Sequence, residues 1–471
     1  MREATLVTLG TRLRLDDVRD AARGRLASGS LGAAFTGVSI DSRTVAPGEL
    51  FVAIAGKHFD GHDFVAAAAA AGAVAALVHR DVAVPSGMAV IRVADTTAAL
   101  ADLGRHVRLA ADVPVVGITG SAGKTTTKDM TAALLGSRGP VLKTEGNLNN
   151  QYGLPLTLLH LGPEHWAAVL ELGMSAAGEM GALSDIARPD IAVITNVGSA
   201  HLEFFPSKDA IARAKAEIFL GLRDGGVAVL NGDDPLVRRA GEEWGGTVIW
   251  FGRDRRHDVS AEKWRGTAFG MRFDMRIAGE VVDVALPLAG PHHVMNFLAA
   301  AAAAHRLGID VEAIAQAATT MKAASHRGEV RRLRSGVTVL DDCYNASPEA
   351  VEASVVALGL AGGGRRVAFL GDMLELGREG RGLHRDVGGR LEGRVDVLVG
   401  VGALAEEFIA GARDHGLPPE ALRHFADARE AAVAAADIVR AGDAVLVKGS
   451  RGMRMEGIVD ALSRHFGEAD D

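Results

Sequence analysis

Gly117-Ile118-Thr119-Gly120-Ser121-Ala122-Gly123-Lys124-Thr125-Thr126 brings spaced glycines, a lysine and a run of threonines into one short segment. It follows the apolar Pro114 to Val116 and precedes a stretch of helical character. A glycine-rich turn between strand and helix aims backbone N–H groups at one point, and the helix N-terminus adds partial positive charge. The segment therefore reads as a phosphate cradle, with Lys124 reaching the β- and γ-phosphates and the Thr125 hydroxyl meeting Mg²⁺. Ile118 stands where the usual loop has its first glycine, so the pattern G-x-x-G-x-x-G-K-T is a variant. An ordinary turn with a surface lysine leaves the coincidence of strand, glycines, lysine and threonines unexplained.

Three later segments could complete a site around the phosphates. Thr144 to Asn150 is a polar loop, Glu171 ends an apolar run, and Thr195-Asn196-Val197-Gly198-Ser199-Ala200-His201 ends another with a histidine in its loop. Neighbouring strand ends in one sheet converge, so Glu171 and His201 could share a metal near Thr125. Mg²⁺ prefers oxygen ligands, which makes a histidine ligand unusual. Taken alone, Glu171 also reads as a helix cap or surface acid and His201 as a loop hydrogen-bonder. Lys215, in Ala212-Arg213-Ala214-Lys215-Ala216-Glu217, reads from spacing alone as a solvated lysine paired with a nearby glutamate. Gly400-Val401-Gly402 has the look of a dinucleotide turn, but no acidic residue follows at the required distance, and a plain strand-to-helix turn fits better.

The elements that must hold these groups follow from length and pattern. At about 150 residues per domain, 471 residues suggest roughly three domains. The chain is 48% hydrophobic, with 51 Lys+Arg against 59 Asp+Glu and a net charge of −8, so packed cores are expected and a nucleic-acid partner is not. A single cysteine, Cys343, rules out an internal disulfide and a multi-Cys zinc site and fits a reducing compartment. Met1 to Leu15 has no continuous apolar core of signal type, and the Ala-rich runs Phe64 to Val78 and Phe297 to Ala304 are too short to span a bilayer. Both runs read as close-packed helices of a cytoplasmic protein without membrane insertion.

Strands are expected at Thr36 to Ile40, Leu50 to Ile54, Ala75 to Val78 and Ala89 to Val93, then at Val113 to Ile118, Trp166 to Leu170, Ile191 to Thr195 and Val227 to Leu230. Helices are expected over Asp129 to Leu135 and Ile211 to Leu222, and Gly246 to Met275 reads as hairpins inserted in the middle domain. After a linker near Lys322 to Arg332, a second βα series has strands at Val337 to Leu340, Arg366 to Leu370, Val395 to Val399 and Ala444 to Val447. This alternation predicts an α/β protein of three domains, 1–112, 113–326 and 327–471, with a central P-loop-type mainly parallel sheet and a C-terminal Rossmann-like sheet.

Taken together and in order, these segments resemble the Mur ligases. The likeness is carried by Thr119 to Thr126, Gly146-Asn147, Glu171-Leu172-Gly173, Thr195 to Gly198 with His201, and the Lys215 segment. Asp41-Ser42-Arg43, Gly48 to Phe51 and Asp60-Gly61-His62 look like the family's uridine-binding N-terminal domain. Asp341 to Ala346, Gly371 to Gly377 and Lys448 to Gly452 resemble the branch that adds D-alanyl-D-alanine. The resemblance implies an ATP-dependent ligase that phosphorylates the terminal carboxylate of a UDP-N-acetylmuramoyl-tripeptide, lets the amine of D-alanyl-D-alanine attack the acyl phosphate, and releases ADP and phosphate.

It further implies ATP held by Gly120, Ser121, Ala122, Gly123, Lys124, Thr125, Thr126, Asn296, Arg327 and Asp342. Asn147 would lie on the γ-phosphate side, with Lys124, Lys215 and His201 as its catalytic companions. Two Mg²⁺ ions would be held by Thr125, Glu171, His201 and Lys215, the last converted by CO₂ into a carbamate. Ser42, Arg43, Phe51, Asp60, Gly61 and His62 would bind the UDP-sugar. Asn345, Lys448, Ser450 and Arg451 would face the dipeptide or the transferred phosphate. His293 and Ser347 stand where the family commonly has asparagine, and His326 where glycine often precedes the arginine. Cys343 replaces a usual serine and is expected to have no nucleophilic role.

Related ligases that add the third amino acid carry an Asp-Asn-Pro-Arg motif that is absent, and Gly371 to Gly377 also argues against a folylpolyglutamate synthase. A P-loop switch would hydrolyse ATP without an acceptor amine. The C-terminal domain is expected to close over ATP, and the chain to act as a monomer.

Overall fold

The structure, a computed structural model, describes residues 13–83, 87–362 and 364–469. Most of the Met1 to Leu15 segment therefore lies outside the described residues. The fold is α/β with three sheets.

The N-terminal sheet comprises β1 (Arg25–Ser28), β2 (Val38–Ser39), β3 (Leu50–Val52), β4 (Ala75–Val78) and β5 (Ala89–Arg92), in the order β1-β5-β4-β3-β2. Only the β1–β5 pairing is antiparallel. The Ala-rich run before β4 is helical only over Val65–Ala70. Gly72, at φ +104°, turns the chain out of the helix so that Ala75–Val78 can become a buried strand.

The central sheet comprises β6 (Val115–Thr119), β7 (Val141–Lys143), β8 (Ala167–Glu171), β9 (Ile191–Ile194), β10 (Val227–Asn231), β11 (Val248–Gly252), β12 (Val259–Thr267), β13 (Gly270–Ile277) and β14 (Glu280–Leu286). Their order is β14-β13-β12-β11-β10-β9-β6-β8-β7. Every residue of β6 and β8 is buried, as expected where helices cover both faces of a parallel sheet. The chain runs from β6 to β7 at one edge and returns through β8 to β9 on the other side of β6, so the winding reverses beside the C-terminal end of β6, a topological switch point. Within Gly246 to Met275, β12 and β13 form an antiparallel hairpin as expected, but it belongs to the central sheet and is not a separate insertion. β11 extends the sheet in parallel with β10, and β12 to β14 continue it as an antiparallel meander. The alternating burial along β13 is that of a strand covered on one face only.

The C-terminal sheet comprises β15 (Glu329–Arg332), β16 (Thr338–Asp341), β17 (Arg366–Gly371), β18 (Val397–Val401), β19 (Leu422–Phe425) and β20 (Ala444–Lys448), in the order β15-β16-β20-β17-β18-β19. The end of the expected linker is itself a strand, β15, paired antiparallel with β16. β18 begins two residues later than Val395, because the Val395 amide donates a helix-type bond to the Leu391 carbonyl. The helix expected over Ile211 to Leu222 runs Lys208–Ala216 and then tightens into a 3₁₀ turn, Glu217–Gly221.

The chain packs as two compact units whose boundary crosses the central strands. One contains the chain up to Ile118 with Arg138–Ala192 and Glu217–Val227; the other contains Thr119–Ser137, Val193–Ala216 and everything from Ala228. In the first, the helix Thr96–Ala110 carries a buried Arg108. Its guanidinium donates to the carbonyls of Ala187 (2.9 Å), Ala111 (3.1 Å) and Arg188 (2.9 Å) and to Asp190 Oδ2 (2.9 Å). In the second, Phe297 to Ala304 lies wholly buried within the helix Pro291–Arg306, which packs against the helix Lys124–Leu135. Among the described residues, no helix is long and apolar enough to cross a membrane.

Candidate active site

β6 ends at Thr119, and the turn that follows is glycine-rich because its neighbours leave no room for side chains. A Cβ on Gly120 would lie 1.8 Å from Thr195 Oγ1, and one on Gly123 would lie 2.3 Å from Asn296 Oδ1. Gly123 also has φ +81°, a region that other L-residues adopt at a cost. The loop is held by the segment after β9. Asn196 accepts from Ala122 N through Oδ1 (2.9 Å) and donates Nδ2 to the Ala122 carbonyl (3.1 Å). Thr195 Oγ1 donates to the same carbonyl at 2.6 Å. Ser121 N donates to the Asn196 carbonyl at 3.0 Å. Lys124, first residue of the following helix, folds its Nζ onto the Gly120 carbonyl at 2.8 Å. Asn196 had no role in the sequence reading; its presence beside Thr195 in the motif was the available signal.

Lys215 is not the solvated lysine that spacing suggests. It is 1% exposed, and Glu217 instead binds the amides of Gly178 and Gly181. Burial first, and the charge of Lys124 second, hold the Lys215 pKa well below the usual lysine range, which favours the neutral amine. Glu171 is likewise neither a helix cap nor a surface acid. It is buried at the end of β8, its Oε1 accepts from Asn149 Nδ2 (2.8 Å), and its amide donates to Thr144 Oγ1 (2.9 Å). Asn149 is the second amide that the sequence reading passed over, while Asn147 in the same loop is exposed.

His201 adopts φ +71° and sets Nδ1 2.8 Å from Glu375 Oε2, an ion-pair contact from the loop after β17. The His201 side chain is only 21% exposed. A further carboxylate, Glu349, accepts from Ser199 N (3.0 Å), Ser199 Oγ (2.7 Å) and Lys208 Nζ (2.9 Å). A helix N-terminus and a loop of the C-terminal sheet thus dock on the β9 loop inside one compact unit.

The groups expected around the nucleoside are arranged as follows. Asn296 is buried against Gly123, and a cleft nearby is lined by Val197, Asn231, Asp234, Trp264, His292 and Met295. Arg327 stacks on Tyr344 with its guanidinium 3.8 Å from the ring centre. His326 has φ +60°, which explains why glycine suits that position, and its Nδ1 lies 2.8 Å from Asp341 Oδ2. His293 is buried, and burial with His292 beside it keeps the ring neutral. Ser347 caps the helix Pro348–Gly359 by accepting from Ala350 N (3.4 Å), a role asparagine serves equally.

The remaining expected site residues are placed as follows. Lys448 is buried, with Nζ donating to Asp342 Oδ2 (2.6 Å) and the Asn345 carbonyl (3.0 Å). Asp342 in turn accepts from Ser354 Oγ at 2.5 Å, so both oxygen-bearing partners stiffen the loop after β16. Ser450 is also buried and accepts from Leu374 N at 2.8 Å. Only Asn345 and Arg451 of that group are exposed, the latter paired with Glu456 at 3.0 Å. Phe51 is a core residue of the N-terminal sheet. His62 is buried too: Nε2 accepts from His79 N (2.9 Å), which leaves the proton on Nδ1, 2.6 Å from Asp60 Oδ1. Desolvation opposes ionisation of Asp60, but hydrogen bonds from His62 and Arg80 outweigh it and hold its pKa at about 2. Gly61 is required where a Cβ would come 2.8 Å from Ile54 N. Ser42 is half-buried, while Arg43 is exposed and paired with Asp41 at 2.6 Å. Cys343 is buried, and burial with Asp341 beside it drives the thiol pKa upward, so no thiolate is available.

The chain matches the Mur ligase middle domain over residues 118–304, the Mur ligase glutamate ligase domain over 326–451 and the Mur ligase family catalytic domain over 34–110. It is 38% identical over 429 residues to the UDP-N-acetylmuramoyl-tripeptide–D-alanyl-D-alanine ligase of Bacillus subtilis, covering 90% of this chain and 93% of that one. A MurF crystal structure from Acinetobacter baumannii aligns with TM-score 0.90 and 32% identity, covering 97% of this chain and 100% of that one. The MurF ligase of Thermotoga maritima, solved in complex with ADP, aligns with TM-score 0.81 and 32% identity over 91% of this chain and 97% of that one.

Proposed function

The chain belongs to the Mur ligase family, and we propose that within it the chain joins D-alanyl-D-alanine to a UDP-N-acetylmuramoyl-tripeptide at the expense of ATP. The observation that carries this reading is the docking of Glu349, in the first turn of the helix Pro348–Gly359, and of Glu375, in the loop after β17, onto the β9 loop that also braces the phosphate loop. A switch that only hydrolyses ATP has no need of an acceptor platform there.

A carboxylate is a poor electrophile, and phosphorylation gives it a leaving group. The chain's part is to hold ATP and the tripeptide carboxylate in line, to stabilise charge that builds on the transferred phosphoryl, and to exclude water from the acyl phosphate. Lys124 and the phosphate-loop amides supply positive charge on the nucleotide side. Asn296 and the cleft beside it suit the adenine, Arg327 and Asp342 the ribose and phosphates, and Asn147 the γ-phosphate side. On the acceptor side the exposed Asn345 and Arg451 remain available, with Lys448 and Ser450 acting through the loops they hold.

Thr125 and His201 in one compact unit, and the oriented Glu171 in the other, each offer a donor that suits Mg²⁺, which when bound would neutralise phosphate charge. Lys215 fits the carbamate reading because a neutral buried amine is the form that adds CO₂; the nitrogen lone pair bonds to carbon and a proton leaves. The resulting anion would supply a ligand for a second Mg²⁺. Intact-mass measurement under bicarbonate, with Lys215→Ala as the blank, checks this by the mass of one CO₂.

The reaction is tested by phosphate release from ATP and Mg²⁺ with UDP-N-acetylmuramoyl-tripeptide, with and without D-alanyl-D-alanine, and by the mass of the product. Release that depends on the dipeptide, with a pentapeptide product, is expected. Release indifferent to both co-substrates would sink the ligase reading in favour of a switch.

A further inference from the structure

The proposed reaction uses Glu375 only as a point of docking, yet its placement is specific. It lies in the Gly371 to Gly377 loop after β17 and puts Oε2 2.8 Å from His201 Nδ1. Its carbonyl accepts from Glu203 N at 3.1 Å, so backbone as well as side chain meets the β9 loop. Gly377 closes the other side, where a Cβ would come 2.9 Å from Glu203 Cα. Both members of the pair occupy the left-handed region, His201 at φ +71° and Glu375 at φ +63°. Non-glycine residues adopt that region at a cost of about 1–2 kcal/mol each, so the surroundings hold both residues in place.

A carboxylate beside one ring nitrogen of a histidine keeps the proton on that nitrogen and leaves the other as lone-pair donor. Such partners orient metal-binding histidines. We propose that Glu375 is a positioning residue of the ligation site: through Nδ1 it fixes the His201 ring so that Nε2 is the metal-side atom. The carboxylate comes from the C-terminal sheet and the imidazole from the central one. Docking of the β17 loop thereby completes the metal site, which ties the acceptor side to the phosphate side. Lys124 also stands near enough for its charge to act on Glu375, consistent with a carboxylate that belongs to the phosphate site. This inference rests on the reading of His201 as a metal-side group.

The test measures Mn²⁺ binding to the full chain with a non-hydrolysable ATP analogue, following free Mn²⁺ by electron paramagnetic resonance, and uses neither the tripeptide nor the dipeptide. Glu375→Gln is expected to weaken Mn²⁺ binding about tenfold or more. On a His201→Ala background the same change is expected to have no further effect. Glu375→Gly keeps the left-handed corner and removes the carboxylate, and is expected to match Glu375→Gln. Wild-type Mn²⁺ affinity in Glu375→Gln, or its full restoration in Glu375→Gly, overturns the proposal by reducing Glu375 to a loop corner. Should His201→Ala itself bind Mn²⁺ as the wild type does, the metal reading of His201 fails first and the proposal with it.

Discussion

Two lysines lie near one another in the site and have opposite electrostatic characters. Lys124 is partly exposed and holds its charge against a carbonyl, whereas Lys215 is sealed from solvent beside it. Lys124→Met should leave unfolding unchanged and lower kcat about 10²-fold or more, because it removes a charge aimed at the transferring phosphoryl. Steady-state kinetics beside a melting curve checks the split, and a large fall in melting temperature would contradict it. For Lys215 the ordinary value is 10.5, and the folded site depresses it. Below that pH the unfolded chain takes up a proton that the folded site refuses, so the residue's stabilising share is present above 10.5 and lost as pH falls through the folded value. Lys215→Met, in CO₂-free buffer, should therefore raise stability at about pH 7 by about 1 kcal/mol or more while abolishing ligation, and the gain should shrink toward about pH 10. A destabilised variant at neutral pH would refute this. None of that was readable from Ala-Arg-Ala-Lys-Ala-Glu, because helical spacing places a lysine on a face without saying what covers the face. The amides Asn149 and Asn196 were illegible for a related reason: a carboxamide announces no chemistry until its partner, Glu171 or the Ala122 peptide, is seen.

The phosphate loop was legible because its chemistry is local: strand, glycines and helix start are contiguous in sequence. What the sequence could not show is that the glycines answer to Thr195 and Asn296, residues far along the chain. Gly123→Ala should raise the KM for ATP, since its Cβ would drive Asn296 aside and its φ of +81° disfavours a side chain. Adding Asn296→Ala should recover the steric part and leave a residual of about 1 kcal/mol from the backbone. Additive losses in that double-mutant cycle would mean the two residues do not meet. The helix Thr96–Ala110 supplies a structural counterpart. Arg108 is buried with its guanidinium satisfied by three carbonyls and Asp190, so Arg108→Ala leaves those acceptors unpaired in the interior. A loss of about 3 kcal/mol in denaturant unfolding is expected, with Arg108→Lys restoring little because an ammonium cannot span the same acceptors. The meander β12–β14 was misread as an insertion because a strand's alternation gives its pairing period and not its sheet; only the register β11–β12 shows that it continues the central one.

The compact unit that begins at Thr119 contains the phosphate loop, the Lys215 helix and the C-terminal sheet, so parts drawn from two sheets act on one loop. Glu349 is the stronger of the two attachments. Desolvation raises its pKa, but Lys208 and the Ser199 hydroxyl and amide outweigh this and hold it below the ordinary 4.5. Its stabilising share is therefore present above pH 4.5 and lost as pH falls through the lower folded value. Charge-assisted hydrogen bonds of this kind contribute about 1.5–3 kcal/mol. Because 1.4 kcal/mol is about a tenfold change in an opening equilibrium, Glu349→Ala should speed amide hydrogen exchange in residues 197–203 about tenfold or more at neutral pH. The difference from the wild type should narrow as the wild-type carboxylate protonates in mild acid. The N-terminal sheet, which belongs to the other unit, should exchange at its wild-type rate. Faster exchange everywhere would show that Glu349 supports folding in general, whereas an effect confined to the loop would show that the C-terminal sheet holds the β9 loop, and with it His201, in the arrangement that ligation requires.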